Sequence, residues 1–306
     1  MVITDNIQVS KEWSDKILQH EDIEYYNDVP NNEKTIIDRI KDAEIITANY
    51  IDITPTIIDA CPNLKYIVVP AVGYEWVDIK YAATKGITVV NCPTHNANAV
   101  AELAIALLFA VARQVVSAQK QLSEGKWEPK IFVGHELADK TMGLIGYGNI
   151  GKKISRLAEG IGMKTQFVNS KSSPGDIDSL IQSSDAVMIC ASLNDDTVNL
   201  VNQTRLKLMK KNAMLINVAR GAIIDEGALL EMLQKGEIAG AGLDVFMDEP
   251  LTGSAPSRSQ SLAQLPNVVA TPHIGFNTTE TQNRLGKEVY SNIIHCHNGD
   301  PINIVS

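Results

Sequence analysis

The chain has 306 residues, more than one hydrophobic core comfortably serves and enough for two domains. It is 44% hydrophobic and 21% charged, and its formal net charge of −9 argues against nucleic acid or an anionic membrane as the main partner. The first residues lack the basic flank and apolar core of a signal peptide, the apolar stretch Ala99 to Ala112 is interrupted by Glu102 and is too short to span a bilayer, and Cys61, Cys92, Cys190 and Cys296 form no CxxC pair, so a cytoplasmic protein with reduced core cysteines is expected.

Short β-branched runs alternate with helical patterns throughout, which predicts α/β architecture with mostly parallel sheets. In the first part the pattern predicts strands over 1–4, 23–26, 45–48, 66–70 and 88–91, and helices around 11–19, 33–42, 56–61 and 79–85. Pro55, Pro62, Gly86 and Pro93 punctuate them. A long helix is expected from about Ala97 to Glu124, its apolar half reading as a buried helix or a subunit contact. A second series then predicts strands over 142–146, 165–168, 186–190, 214–218, 240–245 and 267–271, with helices over 149–160, 203–210 and 226–236. The polar, Pro-interrupted stretch 254–261 reads as a surface loop, and a last helix is expected over 278–298. His295, Cys296 and His297 end that polar helix with no fourth ligand nearby, so no metal site is expected.

The sequence Gly146-Tyr147-Gly148-Asn149-Ile150-Gly151 stands between a strand pattern and an amphipathic helix pattern, in the middle of the chain. One α/β unit precedes it, and the last helix can return to that unit. Two doubly wound parallel-sheet domains with a cleft between them are therefore expected: 1–97 plus 277–306 for substrate, and 98–276 for a dinucleotide. In such a loop Gly146 allows the tight turn, Gly148 lets the backbone approach a pyrophosphate, and Gly151 lets helix and strand lie close. The helix N-terminus then offers N–H groups to the phosphates. An NAD site usually places Asp or Glu at the end of the second strand, whereas this chain has Asn169-Ser170-Lys171. An amide, a hydroxyl and an ammonium would receive a 2′-phosphate that a carboxylate would repel, so NADP(H) is favoured over NAD(H).

Three further residues follow in order: Arg220 in Asn217-Val218-Ala219-Arg220-Gly221, Glu249 before Pro250, and His273 in Thr271-Pro272-His273-Ile274-Gly275. Singly, each has an ordinary explanation as a surface arginine, a loop acid or a core histidine. Together, downstream of a dinucleotide loop, a cation, a carboxylate and an imidazole suggest hydride transfer at an oxygen-bearing carbon.

With these motifs the chain resembles the D-isomer-specific 2-hydroxyacid dehydrogenase family. The resemblance extends over nearly the whole chain, including Gly73 and Asp78, Ala101-Glu102-Leu103, Gly134-His135-Glu136-Leu137, the glycine loop, Gly242-Leu243-Asp244-Val245 and Pro272 to Gly275. It implies a flavodoxin-like substrate domain, a Rossmann cofactor domain and a homodimer. It also implies roles. Arg220 would bind the substrate carboxylate and polarise its carbonyl; His273 would donate the proton in reduction and accept it in oxidation; Glu249 would hydrogen-bond His273 and raise its pKa. Backbone N–H groups of Val72 and Gly73 would hold the carboxylate, Asp244 would contact the nicotinamide amide, and Val218, Ala219 and Gly275 would line the cofactor. The product would be the D-hydroxy acid.

Departures from the family pattern are Ala99, where Ser or Thr is common, and Ser192, where proline is common. The stretch 170–184 is too short for the usual extra helix and strand, so a truncated crossover and a more exposed adenosine pocket are expected there. Tyr50, Tyr74 and Trp76 are the expected specificity residues, and bulky rings favour a small 2-oxoacid such as glyoxylate, hydroxypyruvate or pyruvate. Asn49 to Asp52 holds no Arg or Lys fork for 3-phosphoglycerate. A 3-phosphoglycerate dehydrogenase, a phosphite dehydrogenase-like enzyme and a non-catalytic nucleotide-sensing corepressor are the alternatives, since fold alone does not settle activity.

Overall fold

A strand followed by a helix returns to its sheet in parallel, and this chain repeats that step from end to end. The computed structural model describes residues 1–19, 23–250 and 253–305. In chain order the elements are β1 (Val2–Ile3), α1 (Lys11–Leu18), β2 (Glu24–Tyr25), α2 (Glu33–Ile40), β3 (Ile45–Thr47), α3 (Pro55–Asp59), β4 (Tyr66–Val68), α4 (Ile79–Thr84), β5 (Thr88–Val90), α5 (Ala97–Ala112), α6 (Val115–Ser123), β6 (Thr141–Ile145), α7 (Asn149–Gly160), β7 (Lys164–Val168), α8 (Pro174–Ser183), β8 (Ala186–Ile189), α9 (Gln203–Leu206), β9 (Met214–Asn217), α10 (Glu226–Lys235), β10 (Gly240–Leu243), α11 (Ser257–Ala263), β11 (Val268–Ala270) and α12 (Thr279–Asn298). Two compact units result, a discontinuous one of Met1–Asn96 with Asn277–Ser306 and a central one of Ala97–Phe276.

The discontinuous unit holds a five-stranded sheet in the order β2-β1-β3-β4-β5, and every paired couple is parallel. This is the flavodoxin-like order, with its reversal beside β1. One face buries Ile40, Ile46, Ile53, Ile57 and Ile67; the other buries Ile3, Val68 and Val90 with Val289 and Ile293 of α12. The central unit holds a six-stranded parallel sheet in the order β11-β10-β9-β8-β6-β7, with its reversal beside β6. Ligands of such sheets sit at the carboxyl ends of the strands near that reversal.

The expected long helix is two helices. α5 and α6 are bent by 63° where Arg113 and Gln114 leave helical geometry. Gln114 has φ 52°, and its side-chain Nε2 donates to the Val133 carbonyl at 2.9 Å, which holds the bend. α5 is the buried helix that its composition suggests. A Cβ on Gly240 would lie 2.8 Å from Val111 Cγ1, and one on Gly242 3.0 Å from Leu107 Cβ, so the glycines of β10 allow α5 its close contact. A run of exposed apolar groups lies further on, at Val115, Val116, Leu122, Trp127, Ile131 and Val133, with Phe109 of α5 also exposed.

Two helices stand where none is expected from the sequence. α8 fills the short crossover between β7 and β8. It starts with a capping box, in which Ser173 accepts from the Asp176 N–H and Asp176 accepts from the Ser173 N–H, and Pro174 occupies its first turn. The expectation of truncation holds in one respect: β7 is the sheet edge, with no further strand beyond it among the described residues. α11 replaces the expected loop at 254–261, because Pro256 precedes the first turn and Leu262 is fully buried. Conversely, α9 is a single turn and ends earlier than its pattern suggests.

Replacing Ser173 by Ala removes the α8 cap and should cost about 1 kcal/mol, read as a lower urea-unfolding midpoint at unchanged m-value.

Candidate active site

The glycine loop follows β6 directly. Gly146 has φ +102°, and a Cβ there would lie 2.6 Å from the Ala191 nitrogen. A Cβ on Gly151 would lie 2.5 Å from the Gly146 carbonyl oxygen, so the helix start touches the loop. Gly148 differs, since a Cβ there would meet nothing within 4 Å. The first turn of α7 has no side-chain cap, so its N–H groups and the dipole end face the open side of Gly148. That cradle suits a pyrophosphate. The Cys190 thiol donates to the Gly146 carbonyl at 3.0 Å and steadies the turn from below. Tyr147 stacks on Phe167 of β7 with ring centroids 3.7 Å apart and 6° between planes. Beyond β7, Asn169 Oδ1 accepts from the Lys171 N–H at 2.9 Å, and the Ser172 N–H donates to the Asn169 carbonyl at 2.9 Å. The side-chain oxygen of Asn169 thus folds a turn with Ser170 and Lys171 exposed at its apex.

The trio follows β9, β10 and β11 of the same sheet. At the end of β9, buried Asn217 accepts from the Ala219 N–H at 3.0 Å and donates to the Arg220 carbonyl at 2.9 Å, so one amide shapes the turn Val218–Arg220. Arg220 Nη1 also donates to the Ala219 carbonyl at 2.8 Å. Gly221 then meets the segment after β10 backbone to backbone. A Cβ on it would lie 2.0 Å from the Phe246 carbonyl carbon and 2.2 Å from the Met247 nitrogen. That segment carries Glu249, whose Oε1 accepts from the Phe246 N–H at 2.7 Å. Its other oxygen receives His273 Nδ1 at 2.5 Å. Both side chains are about one-third exposed, His273 at 37% and Glu249 at 30%, so the pair is open to a ligand. With Nδ1–H committed to a carboxylate, Nε2 is the nitrogen left for chemistry.

Asp244 does more for this site than its expected contact with the nicotinamide amide. It is 2% exposed, and its carboxylate accepts from the Thr271 hydroxyl at 2.6 Å and from the N–H groups of Ile274 and Gly275 at 2.9 Å each. Its carbonyl accepts from the His273 N–H at 2.8 Å. These bonds hold His273 at φ 51°, a left-handed geometry that a β-branched residue in its place would not tolerate. Burial pushes the Asp244 carboxyl above its usual range, opposed by these hydrogen bonds and by the charge of His273.

In the discontinuous unit, Val72, Gly73 and Tyr74 form the loop after β4. Asn91, at the end of β5, donates to the Val72 carbonyl at 2.8 Å. In a trans peptide this turns the Gly73 N–H the opposite way. Asn91 is itself anchored: its carbonyl accepts from Asn292 at 2.8 Å, Asn292 accepts from Asn303 at 2.9 Å, and the Asn91 N–H donates to the Asn303 carbonyl at 3.1 Å. Trp76 Nε1 donates to the Ala48 carbonyl at 3.0 Å. The Tyr50 N–H donates to Asp5 Oδ2 at 2.5 Å, and the Asn49 N–H to Asp5 Oδ1 at 3.3 Å. Burial pushes the Asp5 carboxyl up, against hydrogen bonds from Tyr50, Thr4 and Asn49. Arg39, which reaches the same end of β1, is spent on the Thr4 carbonyl and on Asp28. Asp5, Asn91 and Asn217 escape sequence reasoning because each acts on backbone, which no motif records.

Residues 105–275 match the model of the D-isomer specific 2-hydroxyacid dehydrogenase NAD binding domain. The chain belongs to the D-isomer-specific 2-hydroxyacid dehydrogenase family. It is 34% identical over 308 residues to a glyoxylate reductase of Korarchaeum cryptofilum, covering 95% of this chain and 91% of that one. It is 41% identical over 249 residues to a hydroxypyruvate reductase of Thermotoga maritima, covering 79% and 80%. Among solved structures it is similar to an acyclic imino acid reductase in complex with NADPH and D-Arg, with TM-score 0.91, 31% identity and coverage of 100% and 99%. As a 2-hydroxyacid dehydrogenase it is an NAD(P)-dependent oxidoreductase acting on CH–OH groups.

Two glycines separate architecture from binding. Gly221→Ala should destabilise by about 1–3 kcal/mol through overpacking, whereas Gly148→Ala should leave the melting temperature in place and weaken nicotinamide cofactor binding, as thermal unfolding and fluorescence titration would read.

Proposed function

We propose that this dehydrogenase reduces a small 2-oxoacid of the glyoxylate, hydroxypyruvate or pyruvate type to the D-2-hydroxyacid, with NADPH favoured over NADH. The Glu249–His273 hydrogen bond carries the reading, because it leaves one imidazole nitrogen directed by a carboxylate partner and accessible to substrate. In this reading His273 Nε2 gives its proton to the carbonyl oxygen, Glu249 stabilises the imidazolium before the transfer, and the Arg220 guanidinium binds the carboxylate and polarises the carbonyl. A nicotinamide cofactor, when bound, supplies the hydride. The N-terminus of α7 would hold its pyrophosphate and the Asn169 turn would present Ser170 and Lys171 to a 2′-phosphate. In the discontinuous unit, Val72 and Gly73 are assigned to the substrate carboxylate, and Tyr50, Tyr74 and Trp76 to selection for short side chains.

Small substrates are favoured by the glyoxylate and hydroxypyruvate reductases among the relatives and by the commitment of Arg39, which reaches the end of β1, to Asp28 rather than to a ligand. The likeness to an imino acid reductase supports a second reading, in which the carbon reduced is the imine of an oxoacid with an amine. A homodimer is also proposed, through the exposed apolar residues Phe109, Val115, Val116 and Leu122 around α6.

Cofactor oxidation at 340 nm over a panel of 2-oxoacids, with and without an amine, should show turnover of a short oxoacid, faster with NADPH than with NADH. His273→Ala should lower kcat by about two to four decades, and Lys171→Ala should erase the NADPH advantage. A folded His273→Ala with wild-type kcat would overturn the assignment. Light scattering should return twice the chain mass, and Val116→Glu with Leu122→Glu half of that.

A further inference from the structure

Glu226 opens α10 and is 6% exposed, an unusual place for a carboxylate. Its Oε1 accepts from the Met247 N–H at 2.7 Å. Burial pushes its carboxyl up, and that hydrogen bond together with the charge of Arg258 opposes the rise. The Met247 nitrogen is the same atom that a Cβ on Gly221 would approach to 2.2 Å. The peptide joining Phe246 to Met247 is therefore held from two sides, by the Gly221 backbone and by the Glu226 carboxylate. One residue earlier, the Phe246 N–H holds Glu249 Oε1, and Glu249 Oε2 holds His273. Four consecutive links thus run from the start of α10 to the imidazole.

We propose that Glu226 is a positioning residue for the Glu249–His273 pair, acting through the Met247 N–H to fix the backbone from which Glu249 reaches the imidazole. The kinetic part of this proposal rests on the reading of His273 as the proton donor; the structural part does not. Removing the acceptor leaves a partly buried peptide N–H without a partner, and the segment shifts to regain one, carrying the Glu249 carboxylate out of its place.

The test is ¹⁵N NMR of the full chain labelled at its six histidines, with His273→Ala assigning the His273 ring signal. Glu226→Ala should move that signal toward its position in Glu249→Ala. Glu226→Gln, which keeps an oxygen for the Met247 N–H, should leave it at the wild-type position. Glu226→Asp, which keeps the charge but withdraws the carboxylate by one methylene, should move it in the same direction as Ala and serves if Ala does not fold. In steady-state assays Glu226→Ala should lower kcat about tenfold, as a misplaced catalytic group does, with cofactor KM unchanged. In a Glu249→Ala background the same substitution should cost nothing more, since both losses lie on one path. A His273 signal unmoved in Glu226→Ala and Glu226→Asp overturns the proposal, as does an equal loss in both backgrounds. Turnover of no oxoacid, with the His273 signal moving as expected, overturns the proposed function and leaves the positioning role standing.

Discussion

The contact between Gly221 and the peptide of Phe246 and Met247 is the constraint on which the rest of the central unit's site depends. Two turns that follow neighbouring strands, β9 and β10, touch there with no side chain between them. Backbone contacts of this kind do not adapt, because neither partner has a rotamer to change. The turn that carries Arg220 and the segment that carries Glu249 therefore move as one piece. Asn217 shapes the first, Glu226 and Glu249 brace the second, and Asp244 ties the His273 loop to the strand between them.

A parallel sheet makes this economical. Every strand delivers its carboxyl end to one edge, so four short loops from β6, β9, β10 and β11 bring a phosphate cradle, a cation, a carboxylate and an imidazole to the same side of the central unit. The discontinuous unit uses the same rule with other residues. Asp5 follows β1, Tyr50 follows β3, Val72 to Trp76 follow β4 and Asn91 follows β5. In both units a buried polar side chain fixes a loop by hydrogen bonds to backbone, and the chemistry-bearing groups sit on the loops so fixed.

The fold was legible because periodicity is loud where strands are buried on both faces. Ala186–Ile189 and Met214–Asn217 are buried throughout and apolar but for Asn217, and their limits differ from the expected ones by a residue. The nucleotide loop and the trio were legible because glycine, arginine, glutamate and histidine mark special backbone or special chemistry. What stayed hidden has local causes. The bend at Gln114 depends on a bond to Val133, which no window of the helix pattern includes. α8 does carry a readable signal, Ser173-Pro174-Gly175-Asp176, but the shortness of the stretch outweighed it. The role of Asp244 as a loop anchor, and that of Asp5, depend on which backbone N–H groups surround a carboxylate, and sequence does not record that.

The asparagine relay has a different reach. Asn303 supports Asn292, Asn292 supports Asn91, and Asn91 sets the Val72 carbonyl. Ile304 bridges to Val90 beside it, and the Val305 N–H donates to the Val89 carbonyl. Residues 303–305 thus help to shape a loop that lies more than two hundred positions earlier in the chain. A substitution that disturbs residues 303–305 would therefore act on the Val72 loop at a distance, so two stretches far apart in sequence answer to one geometry.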